Sequence, residues 1–278
     1  MINYYLITKP GIILGNLFTV AGGFFLASRG LFDIGLFFAT LLGLGLIIAS
    51  ACICNNYIDR HLDSKMERTK NRAMVNGAVS MEAALTLAAA LGIAGVLVLY
   101  SYTNGLALGA ALFGFFVYIF LYSYWKAKTI YATAIGSIAG AMPPVVGYFA
   151  AGGNLDLGAL LLFALLVLWQ MPHFHAIAIY YLHDYSKAGI PVLPAEKGMV
   201  RTKIHMALYI ALFIPIAALL TVFGYTGGVF LAAIVALGGV WLLLGLSGFA
   251  CRDDTIWGRK MFRWSLVLIA FVCCLIPA

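Results

Sequence analysis

The sequence predicts an all-α, polytopic membrane protein with nine transmembrane helices, and two observations on the whole chain carry that prediction. The 278-residue chain is 64% hydrophobic and only 10% charged, whereas soluble domains carry about 25% charged residues. Apolar segments long enough to cross about 30 Å of hydrocarbon recur along the whole chain, without the strict alternation of membrane β-barrel strands. Because no segment is left over for a soluble domain, residues 1–278 are predicted to form a single integral membrane domain.

The nine predicted spans are defined by hydropathy, so their ends are set only to within several residues. They cover residues 11–28, 34–57, 81–101, 105–122, 130–150, 156–180, 203–222, 226–247 and 262–277. The first follows MINYYLITKPG without a clear small-residue cleavage site, so we interpret it as a helix and not as a signal peptide. In the fifth, Gly136, Gly140 and Ala141 permit close helix approach. Pro143-Pro144 predicts a kink there, which either serves packing or widens a cavity.

Lysine and arginine residues concentrate in alternate loops, which predicts how the chain is oriented. Basic residues occur at Lys9 and in the loops 58–80, 123–129, 181–203 and 248–261, but not in the loops near 102–104, 151–155 and 223–225. By the positive-inside rule the basic loops are cytoplasmic, with Arg29 as the one exception. We therefore expect a multi-pass protein of the bacterial cytoplasmic (inner) membrane, with its N-terminus inside and its C-terminus outside. Topology explains the net charge of +7, which does not indicate nucleic-acid binding.

The most informative segment is NNYIDRHLDSKMERTKNR (55–72), at the end of the second span. Asn55, Asp59 and Asp63, here called the polar ladder, are spaced i, i+4, i+8 and would stack along one helix face at about 6 Å per step. Such oxygen ligands suit Mg²⁺, and carboxylates near the bilayer are costly unless they bind something. The alternative is a solvated charged loop, but Asn55 extends the same face into the apolar span. The sequence therefore favours a Mg²⁺ site.

Cations beside the polar ladder predict that the metal binds together with a phosphate-bearing substrate. Arg68, Lys70 and Arg72 follow at once, and Lys126 lies at another helix–loop boundary. Arginine and lysine bind phosphate oxygens through charge-assisted hydrogen bonds, and Arg68 with Arg72 would form a clamp if their segment were helical. Topology explains basic residues in general, and for Lys126 it is as good an interpretation as phosphate contact.

A second polar cluster, in YYLHDYSKAGIPVLPAEKG (180–198), follows the sixth span. Asp184 is a candidate ligand for a second Mg²⁺ or orients Lys187, and Lys197 is a candidate anion contact. Because both polar clusters lie on the predicted cytoplasmic side, we expect them to form two half-sites facing one cavity.

The sixth span also carries two histidines, in WQMPHFHAIAI (169–179). His173 and His175 lie on different helix faces, so they do not form a paired metal site. His173 is either a hydrogen-bonded core residue or an axial ligand of haem iron. Most aromatic residues serve packing or the membrane interface, but some would line a cavity in which an allylic carbocation develops, since aromatic faces stabilise cations. The candidates for haem or prenyl contact are His173, Tyr122, Tyr185 and Trp169.

These motifs resemble the signatures of the UbiA-type intramembrane prenyltransferases. NNYIDRHLD resembles that family's Asn-x3-Asp-x3-Asp motif, and YSYWK resembles its Tyr-x3-Lys motif. The blocks ITKPGIILGN (7–16), IGSIAGAMPPVVGY, WQMPHFH and HDYSKAGIPVLP appear in the order found in the haem-farnesylating branch, over nearly the full length. Two positions differ from the aromatic-prenyltransferase branch of the family. That branch usually has Asp in place of Asn56, and it has a second Asp-x3-Asp motif where this chain has only Asp184.

The resemblance implies nine helices around a central cavity that opens to the cytoplasmic side and laterally to lipid. It implies farnesyl diphosphate and haem B (protohaem IX) as substrates and haem O and diphosphate as products, with a haem-copper oxidase or a haem A-forming enzyme as product recipient. The catalytic residues are then expected to be Asn55, Asp59, Asp63, Asp184 and Lys187. Two alternatives stay open: a prenyltransferase for an aromatic or quinone precursor, and a haem or lipid transporter. Transporters place charged sites near mid-membrane, whereas this chain places them at one boundary.

Overall fold

Long helices form nearly all of the regular structure in the computed structural model, which describes residues 2–28 and 30–276. Arg29, the exception to the charge bias, therefore lies outside the described residues. The α-helices are α1 (Ile2–Ile7), α2 (Pro10–Ser28), α3 (Ile34–Asp63), α4 (Met81–Tyr102), α5 (Gly105–Phe116), α6 (Ser123–Trp125), α7 (Ala132–Ala150), α8 (Leu157–Tyr180), α9 (Leu182–Ala188), α10 (Leu193–Lys197), α11 (Met199–Val222), α12 (Gly228–Ser247) and α13 (Asp254–Leu275). A π-helical stretch, Val117–Tyr122, joins α5 to α6, and a 3₁₀ turn, Gly248–Ala250, follows α12. Within this part of the chain there is no β-strand.

Eight stretches of the described chain are long and apolar enough to cross a membrane, and they coincide with the first eight predicted spans. The helices extend beyond two of the predicted spans: α3 continues past 57 to Asp63, and α11 begins at Met199 and not at 203. The short helices α1, α9 and α10 lie outside the predicted spans. A ninth long helix, α13, begins at Asp254 and not near 262, and its first turns are charged. The ninth membrane crossing stays a prediction.

Side-chain caps explain where several of these helices begin. The Oδ1 atom of Asp33 accepts a hydrogen bond from the Leu36 N–H (2.9 Å) at the start of α3. Ser80, Asn104 and Asp156 cap α4, α5 and α8 in the same way. Such residues satisfy N–H groups that have no partner within the first turn of a helix. A cap at Asp253, whose carboxylate accepts from the N–H groups of residues 255 and 256, explains the early start of α13.

Glycine residues bring α2 and α7 into backbone contact. A Cβ atom on Gly23 would overlap the carbonyl oxygen of Pro144, and one on Gly147 would overlap the carbonyl oxygen of Val20. Small residues at helix contacts are the usual means of close packing in membranes, where water does not drive helices together. Helices α2 and α7, which correspond to the first and the fifth predicted spans, are therefore tightly packed against each other.

The glycine-rich face of α7 packs as the sequence predicts. A Cβ atom on Gly140 would overlap the side-chain amide of Gln170 on α8, and Gly136 packs against Tyr122. The Gln170 amide donates to the carbonyl oxygens of Ser137 (3.2 Å) and Leu166 (3.0 Å). Helix α7 runs from Ala132 to Ala150 without interruption across its two prolines. The Gln170 amide therefore bonds the backbones of both α7 and α8.

The loop after α3, residues 64–80, is folded onto the helices. Its Met66 packs with Ala188, Ile190 and Val192, which follow α8. Further along the same loop, Met74 and its neighbours pack with α1 and α4 in a second apolar cluster. The loop therefore packs against the residues that follow α8, and this contact brings the two predicted polar clusters together.

Candidate active site

The polar ladder lies along the last three turns of α3, inside the protein. Asn55, Asp59 and Asp63 are 2%, 2% and 1% exposed. The Asn55 amide donates to the Asp59 carboxylate (3.0 Å), as expected of side chains four residues apart on a helix. Burial of two carboxylates is costly unless cations or hydrogen-bond donors compensate their charge.

Each carboxylate of the polar ladder is paired with a cation from elsewhere in the chain. Lys126 Nζ lies 2.5 Å from Asp59 Oδ2, and the Arg72 guanidinium lies 2.6 Å from Asp63 Oδ2. Arg72 also donates to the side-chain oxygen of Asn56 (3.3 Å). Burial alone would lower the pKa of Lys126, but Tyr122 and Asp59 raise that pKa above its ordinary value. Lys126 therefore stays protonated beside the polar ladder.

Lys9 belongs to this site, although its position in the sequence indicated topology and a block of the family resemblance but no contact with the polar ladder. Its ammonium group donates to Asn55 Oδ1 (2.7 Å) from the turn between α1 and α2. Lys9 has a φ of 55°, in the left-handed region that non-glycine residues seldom adopt and that is often found at functional sites. Burial lowers the pKa of Lys9 to about 8, so at neutral pH the side chain is mostly protonated. The sequence signals for Lys9 were its position directly before Pro10 and its place in the block ITKPGIILGN (7–16).

The π-helical stretch before α6 places two further residues against the polar ladder. In it the helix widens over Val117–Tyr122, and the Ser123 hydroxyl donates to the carbonyl oxygen of Tyr118 (3.1 Å). The same hydroxyl oxygen accepts from the Asn55 amide (3.3 Å). π-Helical turns are frequent at functional sites because they reorient the residues that follow. Here they precede both Ser123 and Lys126, the two residues of this segment that contact the polar ladder.

Asp184, in α9, contacts the loop 64–80 directly. Its two carboxylate oxygens accept hydrogen bonds from the backbone N–H groups of Glu67 (3.3 Å) and Arg68 (3.1 Å). Lys187 donates to the Glu67 carboxylate (2.8 Å), which Lys70 also contacts. Hydrogen bonds from the two lysines lower the pKa of Glu67 to about 2. The structure thus places Lys70 and Lys187 on an exposed glutamate, and Asp184 holds the loop that carries the predicted phosphate ligands.

Arg68 and Arg72 do not form the helical clamp considered above, because their segment consists of turns. The Arg68 guanidinium lies over the ring of Tyr181, 4.8 Å from its centroid, while Arg72 faces the polar ladder. Lys197 is exposed at the end of α10. Of the predicted aromatic contacts, Tyr122 stacks on Tyr118 and Tyr185 lies in the apolar cluster around Met66. The structure therefore brings Arg72 and Lys126, of the five predicted phosphate ligands, into contact with the polar ladder.

The polar ladder has a donor set that fits Mg²⁺. It presents two carboxylates and an amide oxygen on one helix face, and Mg²⁺ completes its octahedral shell with water and substrate oxygens. Within residues 2–28 and 30–276, no three histidine, cysteine, aspartate or glutamate side chains converge as a self-sufficient metal site. The residues present thus fit an ion that binds together with a diphosphate better than one held by protein ligands alone.

Residues 16–267 match the family model described as the UbiA prenyltransferase family. The chain belongs to that family. It is a UbiA-type prenyltransferase with an all-helical membrane fold, so the transporter alternative does not apply. Its family membership agrees with the buried polar ladder and the cations that contact it.

Similar proteins extend this result over the full length of the chain. The UbiA-type chain is 54% identical over 278 residues to a protein named protoheme IX farnesyltransferase from Protochlamydia amoebophila, covering all of this chain and 98% of the relative. It is 49% identical to a protein of the same name from Yersinia enterocolitica, with 97% and 92% covered.

Solved structures show the same fold at low sequence identity. A digeranylgeranylglyceryl phosphate synthase matches with a TM-score of 0.81 and 16% identity, over 99% of this chain and 96% of that one. A UbiA homologue from Archaeoglobus fulgidus, bound to DMAPP and Mg²⁺, matches with a TM-score of 0.76 and 16% identity, over 96% and 99%. Because identity is low, these likenesses establish the fold alone.

Proposed function

We propose that this UbiA-type prenyltransferase transfers a farnesyl group from farnesyl diphosphate to a vinyl group of haem B. Addition of water then gives haem O, and diphosphate is released. The observation that carries the choice of acceptor is the 54% identity, over the whole chain, to a relative named protoheme IX farnesyltransferase. The buried polar ladder and its cations support the choice of a diphosphate as the donor's leaving group.

Three cations at the polar ladder would offset the charge that develops as the diphosphate leaves. Lys9, Lys126 and Arg72 contribute three positive charges against two negative charges from Asp59 and Asp63. Charges that are already in position stabilise a developing anion without reorganisation, and a water-poor site strengthens their effect. The described contacts therefore leave one net positive charge at the place where the leaving group would sit.

Asn55, Asp59 and Asp63 are the residues that would hold Mg²⁺. When bound, the ion would neutralise diphosphate oxygens and so assist cleavage of the allylic C–O bond. The Archaeoglobus fulgidus homologue bound to DMAPP and Mg²⁺ supports metal use within this fold. Asp184 remains the candidate for a second ion, although its oxygens accept two loop N–H groups, which makes holding the loop 64–80 its first role.

The prenyl cation would need an apolar, enclosed site in which water does not quench it early. Tyr122 is our candidate for this role; its ring stacks on Tyr118 at 5.5 Å and lies 6.0 Å from the ammonium group of Lys126, next to the polar ladder. Aromatic faces stabilise cations. The haem vinyl group attacks the farnesyl carbon without help from a strong base. We place this chemistry at the cytoplasmic side of the inner membrane, where the basic loops lie, with haem O passing to an oxidase or to a haem A-forming enzyme.

The reaction can be tested with purified protein in detergent, haem B, farnesyl diphosphate and Mg²⁺, followed by mass spectrometry of the haem. We expect an adduct heavier than haem B by farnesyl plus water, and its loss when EDTA removes the metal. Restoration by added Mg²⁺ controls for damage by the chelator. Unchanged haem, together with prenylation of a compound from a panel of aromatic acceptors, would refute the proposed acceptor and keep the family assignment.

Lys9 offers a test of the diphosphate half of the proposal. Replacing Lys9 with methionine keeps an unbranched side chain but removes its charge and its hydrogen bond to Asn55. We expect kcat/KM for farnesyl diphosphate to fall by about 10- to 100-fold, because a hydrogen bond from a charged group contributes about 1.5–3 kcal/mol. Lys65→Met, at an exposed lysine of the neighbouring loop, is the matched control and should change kcat/KM little. Equal losses of kcat/KM in both variants would mean that Lys9 acts only through the net charge of the protein and not through its contact with Asn55.

A further inference from the structure

A short chain of hydrogen bonds connects α8 to α13 through Ser265, a residue that the motifs did not identify. His173 Nδ1 lies 2.7 Å from Ser265 Oγ, and that hydroxyl lies 2.6 Å from the carbonyl oxygen of Phe262. His173 is 8% exposed and Ser265 is completely buried. Because neither group is hydrated by bulk water, their proton positions are set by these contacts.

The two distances determine which ring nitrogen of His173 carries its proton. A carbonyl oxygen only accepts, so the 2.6 Å contact requires the single proton of the Ser265 hydroxyl to point at Phe262. The hydroxyl oxygen is then left to accept from His173, which must donate through Nδ1–H. A neutral imidazole that donates at Nδ1 has its lone pair at Nε2.

Packing also fixes the plane of the imidazole ring. Trp169 stacks on His173 with ring centroids 4.8 Å apart, and Phe262 lies 5.1 Å away. The Trp169 indole N–H donates to the backbone oxygen of Ser265 (2.8 Å), so the same residue of α13 positions both aromatic rings. The hydrogen bond to Ser265 uses Nδ1 and leaves Nε2 as the atom able to bind a ligand.

We propose that His173 binds the iron of the haem substrate through Nε2, and that Ser265 is the positioning residue that fixes its tautomer and orientation. This inference rests on the proposed function, since it requires haem as the acceptor. Histidines that bind metals almost always donate their other ring N–H to a fixed acceptor, which orients the ring and raises its basicity. An imidazole on the iron would anchor the macrocycle while one of its vinyl groups reacts.

The test is a titration of haem B into purified protein, read by optical absorption and by resonance Raman of the ferrous state. Wild type should show an iron–histidine stretching band. His173→Ala should lose the band, and added imidazole should restore an imidazole-bound spectrum. Ser265→Ala should retain the ligand, but with a band shifted to lower frequency and haem binding weakened by about tenfold, the loss typical of removing such an outer partner.

Two controls separate this role from general damage to the helices. His175 is also buried on α8, and its Nε2 has no hydrogen-bond partner among the described residues, so His175→Asn tests whether the neighbouring histidine is the ligand. Ser137→Ala removes a buried serine hydroxyl whose one hydrogen bond to the described residues is to Ala134, within its own helix. Both variants should keep the wild-type spectrum, and size-exclusion profiles in detergent check that each variant is folded.

The outcomes distinguish this inference from the proposed function. If wild type makes the farnesylated haem but His173→Ala keeps the iron–histidine band, or His175→Asn loses it, the inference fails while the proposed function stands. An unshifted band in Ser265→Ala would refute the role of Ser265. If wild type neither binds nor modifies haem B but prenylates another acceptor, the proposed function itself is wrong.

Discussion

Replacing Asp59 with asparagine is expected to abolish prenyl transfer, with kcat reduced by about 10³-fold. The Asp59 carboxylate is the middle member of the polar ladder, contacts Asn55 and pairs with Lys126 at 2.5 Å. Asparagine keeps the shape of the side chain but removes the charge that would hold Mg²⁺ and position the lysine. Removing one preorganised electrostatic contact costs about 10²–10³ in kcat, and loss of a metal ligand adds to that.

The fold should survive this substitution, because the asparagine amide oxygen still accepts from Lys126, whose side chain is 15% exposed at the helix boundary. Asp33→Asn is the matched control: it makes the same change at the other end of the same helix, where asparagine caps as well as aspartate. Turnover measured in membranes, beside melting curves in detergent, checks both variants. If Asp59→Asn retains more than about a tenth of wild-type kcat, the metal role assigned to Asp59 is wrong.

The sequence predicted those features of the site that depend on positions close together in the chain. Asn55, Asp59 and Asp63 could be assigned to one face because helical geometry relates residues four apart, whatever surrounds them. The structure shows them stacked on α3, which extends further than hydropathy indicates. The hydropathy pattern predicts that the span ends at 57, because Asp59 and Asp63 are charged and the sequence does not show the cations that neutralise them. The predicted end of the span at 57 and the failure to predict the partners of Asp59 and Asp63 therefore have one cause: ion pairs with distant cations cannot be recognised from the local sequence.

The features that escaped prediction depend on contacts between distant parts of the chain. Lys9 is hydrogen-bonded to Asn55, 46 residues away in the sequence, and Ser265 is hydrogen-bonded to His173, 92 residues away. No periodicity connects such pairs, because packing of α1, α3, α8 and α13 decides them. From the sequence, Lys9 could be assigned to topology and to the block ITKPGIILGN but not to the polar ladder, and Ser265 only to an apolar helix. The same limit applies to Asp184, whose hydrogen bonds to the loop 64–80 depend on how α9 packs.

Replacing Gly23 with alanine is expected to lower the melting temperature in detergent by about 10 °C. The new Cβ would overlap the backbone oxygen of Pro144, so the clash cannot be relieved by a side-chain rotation. Overpacking of a tight core costs about 1–3 kcal/mol, and backbone-to-backbone contacts lie at the upper end. For a chain of this size each kcal/mol corresponds to about 2–4 °C. Thermal unfolding of purified protein, monitored by circular dichroism, measures the effect.

Gly15→Ala is the control, because Gly15 lies on the same helix and a Cβ added to it would meet no other atom within 4 Å. Alanine favours helix over glycine, so this variant should match or exceed wild-type stability. Equal destabilisation of the two variants would assign the effect to lost flexibility of α2 and not to its contact with α7. Lys9 directly precedes α2. A helix displaced by the Gly23 clash would therefore carry Lys9 away from Asn55, and we expect kcat/KM for farnesyl diphosphate to fall even in the protein that remains folded.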